Sequence, residues 1–92
     1  MSIVRHVVMR GYVQGVGFRM WTEDLAERLE LEGWVRNRRD GSVEIVAIGE
    51  RAALDALTEA CRQGPPGAVV LAVERYTAGD DGSVGFEQRA TV

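Results

Sequence analysis

Apolar and polar residues alternate from Ile3 to Val13. Arg5, Val7, Met9, Gly11 and Val13 fall on one side of a strand, and Val4, His6, Val8, Arg10 and Tyr12 on the other. Both sides carry apolar residues, which predicts a central strand. The period then changes. Phe18, Trp21, Leu25 and Leu29 recur at three- and four-residue steps, with Glu23, Glu27 and Glu30 opposite, which predicts a helix to about Leu31. Thr22 is a candidate N-cap, Glu23 and Asp24 suit the positive end of the helix dipole, and Gly33 is the expected C′ residue.

Residues 33–49 read as a β-hairpin turning at Arg39-Asp40-Gly41-Ser42, since Asp-Gly favours a tight turn. A second helix opens at Gly49-Glu50, buries Leu54, Leu57 and Cys61, and ends at Gly64-Pro65-Pro66-Gly67. Valine-rich Ala68 to Tyr76 is the next strand, residues 78–82 a loop, and Ser83 to Arg89 a short last strand at an edge. The order βαββαβ with one extra short strand predicts an α+β fold, a ferredoxin-like sandwich. Its sheet is mainly antiparallel and carries both helices on one face. At 92 residues, one domain spanning 1–92 is expected.

Between the first strand and the first helix lies Gly11-Tyr12-Val13-Gln14-Gly15-Val16-Gly17-Phe18-Arg19. Gly15 and Gly17 permit a sharp turn and leave successive backbone N–H groups approachable. A helix start follows, with unpaired N–H groups and a positive dipole end, and Arg19 adds a permanently charged fork of donors. Together these suit a phosphate-like anion.

Charge and composition narrow the chemistry. The net charge of −3 argues against a general nucleic-acid or anionic-membrane binder. All 11 basic residues are arginine, so Schiff-base chemistry and a Walker-type lysine are excluded. One cysteine, Cys61, precludes an internal disulfide and reads as a small buried apolar side chain; His6 is expected as a half-exposed strand residue. The sequence shows neither clustered metal ligands nor a leader pattern nor an apolar run near 18 residues, so a metal-free, cofactor-free, cytoplasmic, soluble protein is expected. A monomer is the default. Without a serine or cysteine nucleophile beside a base, an enzyme built on this loop would have to use water as its nucleophile. Asn37 could orient that water, because its amide both donates and accepts; by spacing alone the commoner reading is a strand-end asparagine beside a turn.

The loop at 11–19, Gly-Trp-Val-Arg-Asn at 33–37 and Asp-Gly-Ser-Val-Glu at 40–44 together resemble the acylphosphatase family. Ala26, Gly49, Gly64-Pro65 and Phe86 extend the resemblance along nearly the whole chain; Tyr12 departs from it, standing where the family often has a basic residue. The resemblance implies metal-independent hydrolysis of an acyl phosphate, a small-molecule substrate, to carboxylate and inorganic phosphate. It implies that Arg19 binds the phosphate oxygens, that Gln14, Gly15, Val16, Gly17 and Phe18 form the substrate cradle, and that Asn37 orients the attacking water. Three other readings fit less well. An RNA-recognition octamer would belong on the third strand rather than after the first. A dinucleotide loop would need a third glycine where Met20 stands. A non-catalytic domain retaining the anion cradle is distinguished by phosphate release from benzoyl phosphate.

Overall fold

The structure is a computed structural model that describes residues 2–92. Its elements run β1 (Ile3–Tyr12), α1 (Phe18–Arg28), β2 (Glu32–Asn37), β3 (Val43–Gly49), α2 (Arg51–Cys61), β4 (Val69–Tyr76) and β5 (Phe86–Gln88). The sheet order is β4-β1-β3-β2-β5. β1 lies antiparallel to β3 and β4, β2 is antiparallel to β3, and β5 joins the free side of β2 in parallel. Each crossover through a helix skips one strand, and the skipped position is filled by β3 or by β1. This split βαβ arrangement is the ferredoxin-like fold.

One apolar cluster unites the sheet with both helices. It includes Val7, Met9 and Val13 from β1 and its end, Val35, Val43, Ile45 and Ala47 from the hairpin, and Phe18, Ala26, Leu54, Leu57 and Cys61 from the helical segments. Since side chains alternate across a strand, the helix-facing set of β1 is Arg5-Val7-Met9, as its pattern predicts. Arg5 is buried there and reaches α2, donating to Asp55 at 2.6 Å. Burial pushes the Cys61 thiol up to about 12, so it packs as an apolar group.

The other face of the sheet is also substantially covered. Trp34 is buried on that side; its indole N–H donates to Asp81 at 3.0 Å, and the guanidinium groups of Arg36 and Arg89 stack on its ring. His6 meets Glu44 at 2.7 Å, and Glu44 also accepts from Arg36 at 2.7 Å. Burial opposes ionisation of Glu44, but these two partners outweigh it and hold the carboxyl below its ordinary range.

The boundaries of α1 differ from expectation. Thr22 is not an N-cap: the helix begins at Phe18, with Gly17 as N-cap, and its first turn carries no acidic residue. Glu23 and Asp24 therefore sit inside the helix. Thr22 instead occupies the middle of the buried stripe Phe18–Thr22–Ala26, while Trp21, Leu25 and Leu29 flank it, only partly buried. A hydroxyl at the centre of a buried face breaks the apolar period, which is why the sequence pattern was displaced by one position. Nor does Gly33 end the helix. Glu30 takes the left-handed conformation at φ 58°, Leu31 N–H donates to the Ala26 carbonyl at 2.9 Å, and Glu30 N–H donates to that of Glu27 at 3.1 Å. That is a Schellman closure with glutamate at C′. Gly33 lies within β2, where an added Cβ would stand 1.9 Å from the Val46 carbonyl oxygen. The last strand is shorter than 83–89, because Asp81 captures the N–H and hydroxyl of Ser83 in a local turn before pairing with β2 begins.

Candidate functional site

The chain leaves β1 at Tyr12, anchors Val13 in the core and enters α1 at Phe18. Gly15 at φ 75° and Gly17 at φ 78° both hold left-handed backbone. An added Cβ at either would meet no other group within 4 Å, so conformation rather than crowding favours glycine there. The Trp21 N–H donates to the Gly17 carbonyl at 3.0 Å. The N–H groups of Phe18, Arg19 and Met20 therefore precede the helical ladder, and Gly17 offers no side chain to cap them. This is a helix start open to an anion.

A cavity of about 190 Å³ lies at this turn. Of the residues picked out by the sequence, Gln14, Gly15, Gly17, Phe18, Arg19 and Asn37 line it. Arg19 and Asn37, 18 positions apart in the chain, thus face one space. Val16 does not line it; its side chain packs against the core cluster. Phe18 is 2% exposed and stacks edge-to-face on Trp21, with ring centroids 5.3 Å apart, so its ring belongs to the core as much as to the cavity wall. Three further residues complete the lining: Val13, Met20 and Gln88. Gln88 arrives from β5, and its amide donates to Glu23 on α1 at 2.9 Å. No local pattern marks Gln88, because the docking of β5 beside β2 brings it to the cavity.

Arg19 is the one charged side chain of the lining, and it makes no ion pair or hydrogen bond with another described residue. Many other arginines are engaged: Arg5 with Asp55, Arg10 with Asp40 and Glu74, Arg36 with Glu44, Arg62 with Glu59, and Arg89 with Glu87. The cavity is thus locally cationic in a protein of net charge −3. Its lining contains no carboxylate, imidazole or thiol.

Asn37 ends β2, opposite Val43 of β3. Its backbone carbonyl accepts from Val92 N–H at 3.3 Å, so the main chain is held from both sides. The turn beyond it is also fixed. Asp40 accepts from the N–H and hydroxyl of Ser42 at 3.0 and 2.6 Å, and these bonds, the hydroxyl's first, lower its carboxyl to about 2. The Gln14 amide nitrogen donates to the carbonyls of Arg38 at 2.7 Å and Ser42 at 2.9 Å.

Fold and cavity define a ferredoxin-like α+β protein with a concave, cationic, amide-rich site at a strand-to-helix turn, suited to an oxyanion. The family model for acylphosphatase matches residues 5–88, and the chain belongs to the acylphosphatase family. It is 51% identical over 87 residues to an acylphosphatase of Synechococcus sp. strain JA-2-3B'a(2-13), covering 95% of this chain and 93% of that one. The structure matches that of an acylphosphatase from Coxiella burnetii with a TM-score of 0.91 at 41% identity, over 96% of this chain and 93% of that one. The acylphosphatase of Bacillus subtilis matches with a TM-score of 0.90 at 36% identity, over 97% and 99%. Membership carries the general activity with it: this is an enzyme of acyl phosphate hydrolysis.

Proposed function

We propose that the cavity holds the phosphoryl group of an acyl phosphate for direct attack by water, without a metal ion. Water oxygen bonds to phosphorus as the phosphorus–oxygen bond to the acyl group breaks. The bridging oxygen leaves with the carboxylate, and the water's protons pass to the phosphate product and solvent. The carboxylate is a good leaving group, so no strong general acid is required. The transition state spreads negative charge over the equatorial phosphoryl oxygens, which the Arg19 fork and the 14–19 loop amides are suited to receive. The Asn37 carboxamide accepts a proton of the attacking water and fixes its approach. The substrate is a small molecule, and we read the working unit as a cytoplasmic monomer.

The observation that carries this reading is that Arg19, the glycine loop and Asn37 line one cavity. The lining supplies no group that would serve as a covalent nucleophile or a metal ligand set, in keeping with water attack. Asn37→Ala tests it: kcat should fall by about 10²- to 10³-fold, as for loss of one oriented polar group, with inhibition by inorganic phosphate unchanged. Equal loss of turnover and of phosphate affinity would make Asn37 structural instead. Hydrolysis in ¹⁸O water should place the label in phosphate; label in the carboxylate would refute attack at phosphorus.

A further inference from the structure

We propose that the side chain of Gln14 is a positioning group that sets Asn37 against the phosphate loop, rather than one that touches substrate. The inference rests on the functional reading above. Gln14 lines the cavity, which invites a substrate contact, but its amide nitrogen is already occupied. Both partners, the Arg38 and Ser42 carbonyls, are acceptors, so the atom facing them is the NH₂ group, and its two hydrogens are both used.

Those two carbonyls belong to the neck of the hairpin turn. Arg38 N–H donates to the Ser42 carbonyl at 2.9 Å, and Gly41 N–H donates to the Arg38 carbonyl at 3.0 Å. Each carbonyl therefore accepts one bond from the turn itself and a second from Gln14. A planar NH₂ group bonded to two fixed acceptors determines both the position and the tilt of the turn relative to the loop. Arg38 is the residue after Asn37, so this tie acts one peptide away from the water-orienting side chain. Arg10 and Asp40 also link β1 to the turn, at 3.3 Å, but both are exposed, and such a pair holds geometry weakly. Glutamine suits the task by its chemistry. Asparagine is one methylene shorter, and a glutamate carboxylate would present oxygens to oxygens.

The test compares Gln14→Met, similar in length but without donors, in the native and Asn37→Ala backgrounds. The assay reads benzoyl phosphate turnover and the inhibition constant of inorganic phosphate. A residue acting through Asn37 should couple to it: kcat should fall about 10-fold or more in the native background and less than about 2-fold in the Asn37→Ala background, with phosphate inhibition within about 2-fold throughout. Equal losses in both backgrounds, unchanged kcat, or phosphate affinity falling in step with turnover would each overturn the proposal. If Gln14→Met does not fold, Gln14→Leu, also neutral and without donors, is read by the same criteria; unfolding of both would assign Gln14 a purely structural role and overturn the proposal. Asn37→Ala with native kcat would defeat the functional reading itself, whereas a large Asn37 effect without coupling would defeat only this inference.

Discussion

Replacing Arg19 by alanine removes the one charged side chain that lines the cavity. The magnitude follows from Coulomb's law. A unit charge about 4 Å from the phosphoryl charge, at an effective dielectric constant of about 20, contributes ~4 kcal/mol. At 1.36 kcal/mol per decade, that corresponds to a loss of about 10³ in kcat/KM. No other cation of the lining can substitute, and Arg19 makes no ion pair with another described residue, so its removal breaks none. Arg19→Lys separates charge from shape. The ammonium keeps the charge but is shorter, more strongly hydrated and unable to meet two oxygens in one plane, so it should recover no more than about tenfold. The assay is phosphate release from benzoyl phosphate, with circular dichroism to confirm that both variants fold. A lysine variant within about threefold of the native kcat/KM, or an alanine variant losing less than about tenfold, would refute the assignment.

Glu30→Gly should raise stability by about 0.5–1 kcal/mol, because the left-handed C′ position penalises a Cβ and glycine carries none. Thermal melting reads this as a rise in Tm of several degrees, and a fall would show that the Glu30 side chain contributes more than its backbone strain costs. The Asp40 carboxyl is held at about 2 in the fold, below its unfolded value of ~3.9. The unfolded chain binds more protons around and between those values, so the stabilisation from Asp40 is complete above about pH 5 and is lost progressively as pH falls toward 2. Carbon-detected NMR titration should find its midpoint near 2, and a midpoint near 4 would mean that the turn does not hold the carboxyl in solution. Turnover should survive a strong chelator; loss of activity that magnesium restores would establish a metal requirement.

Much of this architecture was legible in local pattern. The two-residue period of β1, the Asp-Gly turn of the hairpin and the glycine-proline stop after α2 are short-range signals, because each depends on backbone geometry within a few residues. The course of α1 was less legible. Its buried stripe passes through Thr22, and its end is a glutamate in a conformation usually left to glycine. In both places packing overrides propensity: the neighbouring apolar residues fix the helix, and the exceptional residue is tolerated within it.

The chain by itself determined the order of elements and the chemical character of the loop, because a glycine pair, a helix start and an arginine lie within five consecutive positions. Spacing could not decide whether Asn37 belongs with that loop. The antiparallel pairing of β1 and β2 on opposite sides of β3 decides it, bringing residues 18 positions apart to one cavity. Gln88 joins them only because β5 docks beside β2, and Gln14 is held by the hairpin neck rather than offering its donors to the cavity. Such placements depend on strand register and on which carbonyls come within reach of a donor. These are properties of the folded chain as a whole, and no single stretch of sequence encodes them.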